Sequence, residues 1–230
     1  MSNGKNGKGT RQNAELSENT DRQYAPQQPY TTLYVVRHGE TEWNVRDILQ
    51  GQKDSPLTER GIQQAKELTE DLADVRFDAV FSSDLLRARR TAEIFNTERK
   101  LAYKTSQLLR ERNWGRYDGR KASIFRKEAR QLIDKFWKLS LDEQWKFKYA
   151  PDIESWEEVF GRFMSFLREV AIAYPGKTIL VVTHMDVLRT LLLHLGKRPE
   201  SIDNMAYVII KTDGTNIHLE EAVGLRLKDF

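Results

Sequence analysis

The 230-residue sequence predicts an α/β fold: a three-layer sandwich with a mostly parallel central sheet, one antiparallel edge, helices on both faces and a helical lid insertion. Three observations point there. Short β-branched runs alternate with segments of helical period, the pattern of crossover units around a parallel sheet. Three of those runs, Leu33 to Val36, Phe77 to Phe81 and Thr178 to Thr183, stop on polar residues able to carry chemistry. Finally, Tyr207 to Lys211 and Asn216 to Leu219 flank Asp213-Gly214, a hairpin signal that closes the sheet with antiparallel strands.

The elements follow in order. The first strand runs directly into Arg37-His38-Gly39-Glu40-Thr41. Ile62, Ala65, Leu68 and Leu72 then recur at helical spacing behind Thr58, a suitable N-cap. The second strand, 77 to 81, ends on Ser82-Ser83-Asp84 and opens a helix from about 84 to 96 that carries Arg87 and Arg89. From about Leu101 to Pro151 the alternation breaks, with a helical stretch from Ser123 to Leu139. Trp114, Trp137 and Trp145 lie there among Lys135, Lys138, Lys146 and Lys148, which suits either a lid over the strand ends or a surface helical pair packed through its aromatics. A helix from about 155 to 173 begins on the capping-box pattern Ser155-Trp156-Glu157-Glu158 and ends at Tyr174-Pro175-Gly176. The strand at 178 to 183 stops on His184, and a helix from 186 to 195 is stopped by Gly196.

Residues 1–29 form a polar tail rich in Asn, Gly, Gln, Lys and Ser, too poor in apolar surface to offset its chain entropy, and are expected to be disordered. The tail lacks the apolar core of a secretory signal, and Glu15, Glu18 and Asp21 argue against a transit peptide, so a cytoplasmic location is the default expectation. Residues 30–230 read as one catalytic domain with an insertion at about 101–151. The absence of cysteine excludes disulfides and thiolate metal sites. No apolar run approaches the roughly 20 residues that span a bilayer. The net charge of +3 is mild, and without interleaved aromatic and basic residues it does not indicate nucleic acid. Oligomeric state is left open.

Three strand ends would bring two imidazoles and several guanidiniums to one edge of a sheet, around a dianion. A phosphate monoester repels nucleophiles, so an enzyme that uses no metal needs positive charge about the phosphoryl oxygens. A histidine nucleophile must be neutral on its reactive nitrogen, with the other nitrogen donating to a backbone carbonyl, and a separate acid must protonate the leaving oxygen. Gly39 beside His38 would let backbone approach the phosphate. Taken alone, His38 and His184 also read as satisfied loop-edge histidines. Glu111, between Arg110 and Arg112, reads as a solvated ion pair. Arg89 and Arg90 read as helix-surface charges, His194 as core or helix end, and His218 as part of an edge strand.

Arg37-His38-Gly39-Glu40-Thr41-Glu42-Trp43-Asn44 resembles the signature of the histidine phosphatase superfamily, in its phosphoglycerate mutase-like branch. Further blocks resemble the family in order: Gln50-Gly51, Leu57 to Gly61, Ser82 to Ala92, Leu109 to Gly115 and Val182-Thr183-His184, so the resemblance covers about Leu33 to Leu219. It implies that His38 becomes phosphohistidine, that Arg37, Arg87 and His184 hold the phosphoryl oxygens with Asn44 assisting, and that Glu111 protonates the leaving group and then activates water. Gly39, Gln50 and Met185 join the substrate-binding set; no metal and no cofactor are implied, and the partner is a small phosphorylated metabolite. Two departures stand out. Met185-Asp186 follows the final histidine where glycine is usual, with Asp186 expected to cap the next helix, and Ile153-Glu154-Ser155 replaces the usual Gly-Glu-Ser. The short insertion favours a phosphomonoesterase over a cofactor-dependent phosphoglycerate mutase; a non-catalytic phosphate-sensing or docking module is the alternative from a different class.

Overall fold

The computed structural model describes residues 29–229, so the polar tail lies outside the described residues apart from Pro29. Strand β1 (Thr31–Arg37) leads through a four-residue helix α1 (Glu42–Val45) to helix α2 (Glu59–Asp71), strand β2 (Ala79–Ser83), helix α3 (Leu86–Asn96) and strand β3 (Ala102–Ser106). Three short helices follow, α4 (Ala122–Glu128), α5 (Arg130–Phe136) and α6 (Leu141–Lys146). Helix α7 (Trp156–Ala173), strand β4 (Thr178–Thr183), helix α8 (Met185–His194) and the strands β5 (Lys197–Thr212) and β6 (Ile217–Asp229) complete the chain. The six strands form one sheet in the order β3-β2-β4-β1-β5-β6. β3, β2, β4 and β1 run parallel, and β5 and β6 are antiparallel at one edge.

Side-chain alternation explains the three layers. In β1, Leu33 and Val35 enter one core while Val36 enters the other; in β4, Ile179 and Val181 oppose Leu180 and Val182 in the same way. The first core is closed by α7 and α8 through Phe163, Leu167 and Leu188, and the second by α2 and α3 through Leu68, Ala92 and Phe95. Helix starts carry their expected caps: Thr58 Oγ1 accepts from the Gly61 amide, and Ser155 and Glu158 form a reciprocal capping box.

Four differences from the sequence reading have physical reasons. Residues 102–106, assigned to the insertion, form the outer parallel strand β3. Only Tyr103 anchors it inward, by a 2.8 Å hydrogen bond with Ser82 Oγ, so an edge strand with little buried surface leaves no apolar alternation to read. The helix expected over 123–139 breaks at Ala129 into α4 and α5. The closing strands extend well beyond the predicted ends, because 197–202 of β5 pairs only with β6 and lacks a second neighbour to demand an apolar pattern. Asp186 does not cap α8: His184 occupies the N-cap position, while Asp186, two residues further on in the first turn, is buried and bound to Arg189 at 2.6 Å. Among the described residues no helix is long and apolar enough to cross a membrane.

Candidate active site

Parallel pairing places the two histidines together. β1 and β4 are in register at Arg37 and Thr183, so the next residue of each strand emerges at the same sheet edge, and the His38 amide donates to the Thr183 carbonyl at 3.0 Å. The two rings meet edge to face at 5.2 Å between centroids. His38 Nδ1 lies 2.7 Å from its neighbour's carbonyl, Gly39 O, which assigns the ring proton to Nδ1 and leaves Nε2 unprotonated, its lone pair accepting from Arg87 Nε. Arg87 Nε stands 3.2 Å from that Nε2. Burial, reinforced by Arg87 and Arg37, holds His38 neutral well below the usual histidine range, and His184 is held neutral in the same way.

Arg87 is aimed by a loop distant in sequence. Its Nη2 donates to Gly51 O at 2.8 Å, and its Nη1 to Lys53 O at 2.8 Å and Asp54 Oδ1 at 2.9 Å, leaving Nε toward the histidine. Arg37 donates through Nη1 to Ile202 O at 2.6 Å, while its buried Nε has no protein partner. Burial lowers the Arg37 guanidinium to about 10, still charged at neutral pH. The two ring nitrogens of His184 are likewise buried without partners.

Glu111 is buried and makes no ion pair among the described residues, unlike the solvated pair that its neighbours suggest. Arg110 is instead bound bidentately to Asp84, and Arg112 donates to Glu154 O at 2.7 Å. The Glu111 carboxylate faces the start of α8: Oε1 accepts from the amides of Arg112 at 2.8 Å and Asp186 at 3.1 Å, and Oε2 from Met185 at 3.1 Å. Those donors favour the charged form, but burial and the nearby Asp186 carboxylate outweigh them and push Glu111 up to about 7. From α7, Arg162 donates to the carbonyls of Leu108 at 3.0 Å and Glu111 at 3.1 Å and pairs with Glu154 at 3.0 Å, which locks the segment in place.

A cavity of about 250 Å³ opens onto this group. Arg37, His38, Asn44, Gln50, Arg87, Glu111 and Met185 line it, and His184, fully buried, meets the His38 ring edge-on. Asn44 spends its Oδ1 on the Thr41 amide and hydroxyl, and Gln50 donates to Thr41 Oγ1 at 2.8 Å. Two expectations change in their reasons. Gly39 does not reach the cavity, since its amide donates to Thr91 Oγ1 at 3.1 Å; glycine is needed there because a Cβ would lie 2.6 Å from the Gly61 carbonyl oxygen. The Met185 amide is taken by Glu111, so this residue offers the cavity its side chain. Sequence reasoning missed Asp54, which aims Arg87, and Asn204, which donates to His38 O at 3.0 Å. Neither carries a local signal. Of the residues set aside, Arg89 and Arg90 pair with Glu93 on the surface of α3, His194 ends α8 against Phe160, and His218 lies edge-on to Tyr30 in β6.

A neutral imidazole, two guanidiniums and a buried carboxyl group at the carboxyl ends of parallel strands are the groups that phosphoryl transfer requires. The model of the histidine phosphatase superfamily (branch 1) matches residues 33–222, and the chain belongs to this family. Among its relatives, the "Uncharacterized phosphatase PhoE" of Bacillus subtilis is 34% identical over 74% of this chain and 80% of its own length. The "Metal-independent phosphoserine phosphatase" of Arabidopsis thaliana is 32% identical over 72% and 68%, and the "Probable phosphoglycerate mutase GpmB" of Proteus mirabilis 33% over 70% and 72%. The solved structure of Bacillus stearothermophilus YhfR superposes with a TM-score of 0.73 at 34% identity, covering 84% of this chain and 96% of that one. The protein is thus a histidine phosphatase-type enzyme.

Proposed function

We propose that this chain is a metal-independent phosphomonoesterase working through phosphohistidine on His38. The observation that carries this reading is the unprotonated Nε2 of a neutral His38, held by Arg87 Nε at 3.2 Å and in one cavity with a Glu111 poised near 7. In the first transfer, the Nε2 lone pair bonds to phosphorus as the ester P–O bond breaks, and Glu111 gives its proton to the departing alkoxide. In the second, Glu111 takes a proton from water, whose oxygen attacks phosphorus; the P–N bond breaks, inorganic phosphate leaves and His38 is restored. Arg37, Arg87 and His184 hold the phosphoryl oxygens, assisted by Asn44, and the charge of the two guanidiniums is most valuable in the transition state. The natural substrate is a small phosphorylated metabolite.

Phosphorus NMR of a phosphate-ester panel in excess chelator, beside His38→Ala, tests the reading. Free phosphate that disappears in the variant supports it, and chelator-sensitive release would overturn the metal-independent part. The names borne by the GpmB relatives favour a mutase as the second reading. Interconversion of phosphoglycerates in the presence of the bisphosphate primer, without free phosphate, would select it. Binding that survives in His38→Ala with no turnover in the parent would indicate a docking module.

A further inference from the structure

Strand β5 is irregular where it passes the end of the strand that carries His38. Its pairing with β1 stops at Val36 and Tyr207, and its ladder with β6 shifts register between Ile202 and Tyr207. Inside that bulge Met205 takes a left-handed backbone conformation, φ 63°, which is disfavoured for a residue with a Cβ. On β6 the close neighbour is Gly224, also left-handed, where a Cβ would lie 3.0 Å from Ala206 Cα. Such a bulge re-aims the side chains beside it. Continued, the β1–β5 register would set His38 opposite Met205; the ladder ends first, and the Asn204 side chain takes the His38 carbonyl instead, Nδ2 to O at 3.0 Å. The same bulge holds Arg37, through Ile202 O at 2.6 Å.

Asn204 Nδ2 also reaches Asn44 Oδ1, at 3.4 Å. That oxygen accepts from the Thr41 amide and hydroxyl as well, and the hydroxyl is committed to it because its own oxygen accepts from Asn44 N and Gln50 Nε2. Three donors on Oδ1 fix which end of the carboxamide faces the protein. Asn44 Nδ2, which makes no hydrogen bond among the described residues, is left as a donor on a side chain that lines the catalytic cavity. Asn204 itself lines an outer cleft and not that cavity.

Resting on the phosphatase reading above, we propose that Asn204 is a positioning residue for phosphoryl transfer: from the β5 bulge it ties the carbonyl of His38 to the carboxamide of Asn44, so that His38 Nε2 and Asn44 Nδ2 act on one phosphoryl group. The left-handed Met205 is the strain that this aim requires. Removing Asn204 disturbs alignment while Arg37 and Arg87 still attract the dianion, so the rate suffers more than the affinity for substrate.

The test uses the full chain, with 4-nitrophenyl phosphate as the ester and orthovanadate as a phosphoryl probe. Asn204→Ala is expected to lower kcat about tenfold with KM within about threefold of the parent. Asn44→Ala should lose a similar factor, and the double variant about twentyfold rather than the roughly hundredfold of independent residues, because Asn204 acts in part through Asn44. Asn204→Asp keeps the shape and gives up both donated hydrogens, so it should fall at least as far as Asn204→Ala. Losses that multiply in the double variant, near-parental kcat in Asn204→Ala, or full activity in Asn204→Asp would overturn the proposal. Calorimetric binding of orthovanadate needs no turnover. Vanadate binding that Asn204→Ala weakens, non-additively with Asn44→Ala, upholds the positioning role even if no ester is hydrolysed, in which case the phosphatase reading alone fails. Unchanged vanadate binding and turnover in Asn204→Ala overturn the role in an active phosphatase, and so does a parent that binds no orthovanadate.

Discussion

Glu111 stands between opposing influences, and its position near 7 makes pH a direct probe. The acid form serves the first transfer, so turnover of esters with basic leaving alcohols should fall as pH rises through about 7. Esters of acidic phenols, which need little protonation, should show a much flatter limb; equal limbs for both would remove Glu111 from that role. His38 loses its nucleophile only when protonated, and burial beside Arg87 and Arg37 delays this to well below the usual histidine range. Activity should therefore persist into mildly acidic solution. Arg87→Ala removes both the guanidinium at Nε2 and the tie to the 51–54 loop, and kcat is expected to drop by about 10²–10³. Near-normal steady-state turnover in that variant would exclude Arg87 from phosphoryl binding.

Among the elements, the contact between the turn after β1 and the start of α2 is the least forgiving. The Gly39 and Gly61 backbones touch so closely that Gly39→Ala must displace one of them. A loss of about 1–3 kcal/mol in denaturant unfolding is expected, together with lower kcat because His38 shifts. Helix α7 acts on the acid from outside the cavity. Arg162→Met frees the carbonyls of Leu108 and Glu111 and leaves Glu154 unpaired. Stability should fall by about 2 kcal/mol, and kcat should fall more than KM rises, since the phosphate clamps remain. Loss of stability with unchanged kcat would make Arg162 a structural residue only. The edge strand β3 and the broken α4–α5 pair mark where reading elements from sequence failed. Each buries one face or a few residues, so neither imposes a sustained period.

At the scale of the whole molecule, three strand ends and one helix start converge on a single cavity, and a short helical insertion contributes aromatic walls to a second one beside it. The central strands, most helix caps, the hairpin and the family were legible from local patterns. The residues proposed for the site, His38, Arg37, Arg87, His184 and Glu111, were picked out through ordered blocks of sequence, although Glu111 needed the resemblance to stand out from its charged neighbours. The sequence by itself determined which side chains end each strand, because apolar alternation and capping are local properties of the chain. Only the tertiary structure decided that the two histidines touch, that Glu111 is buried and close to Asp186, and that Asp54 and Asn204 brace Arg87 and His38. These depend on strand register and on packing between segments far apart in sequence, and burial sets the strength of each charge only after that packing is complete.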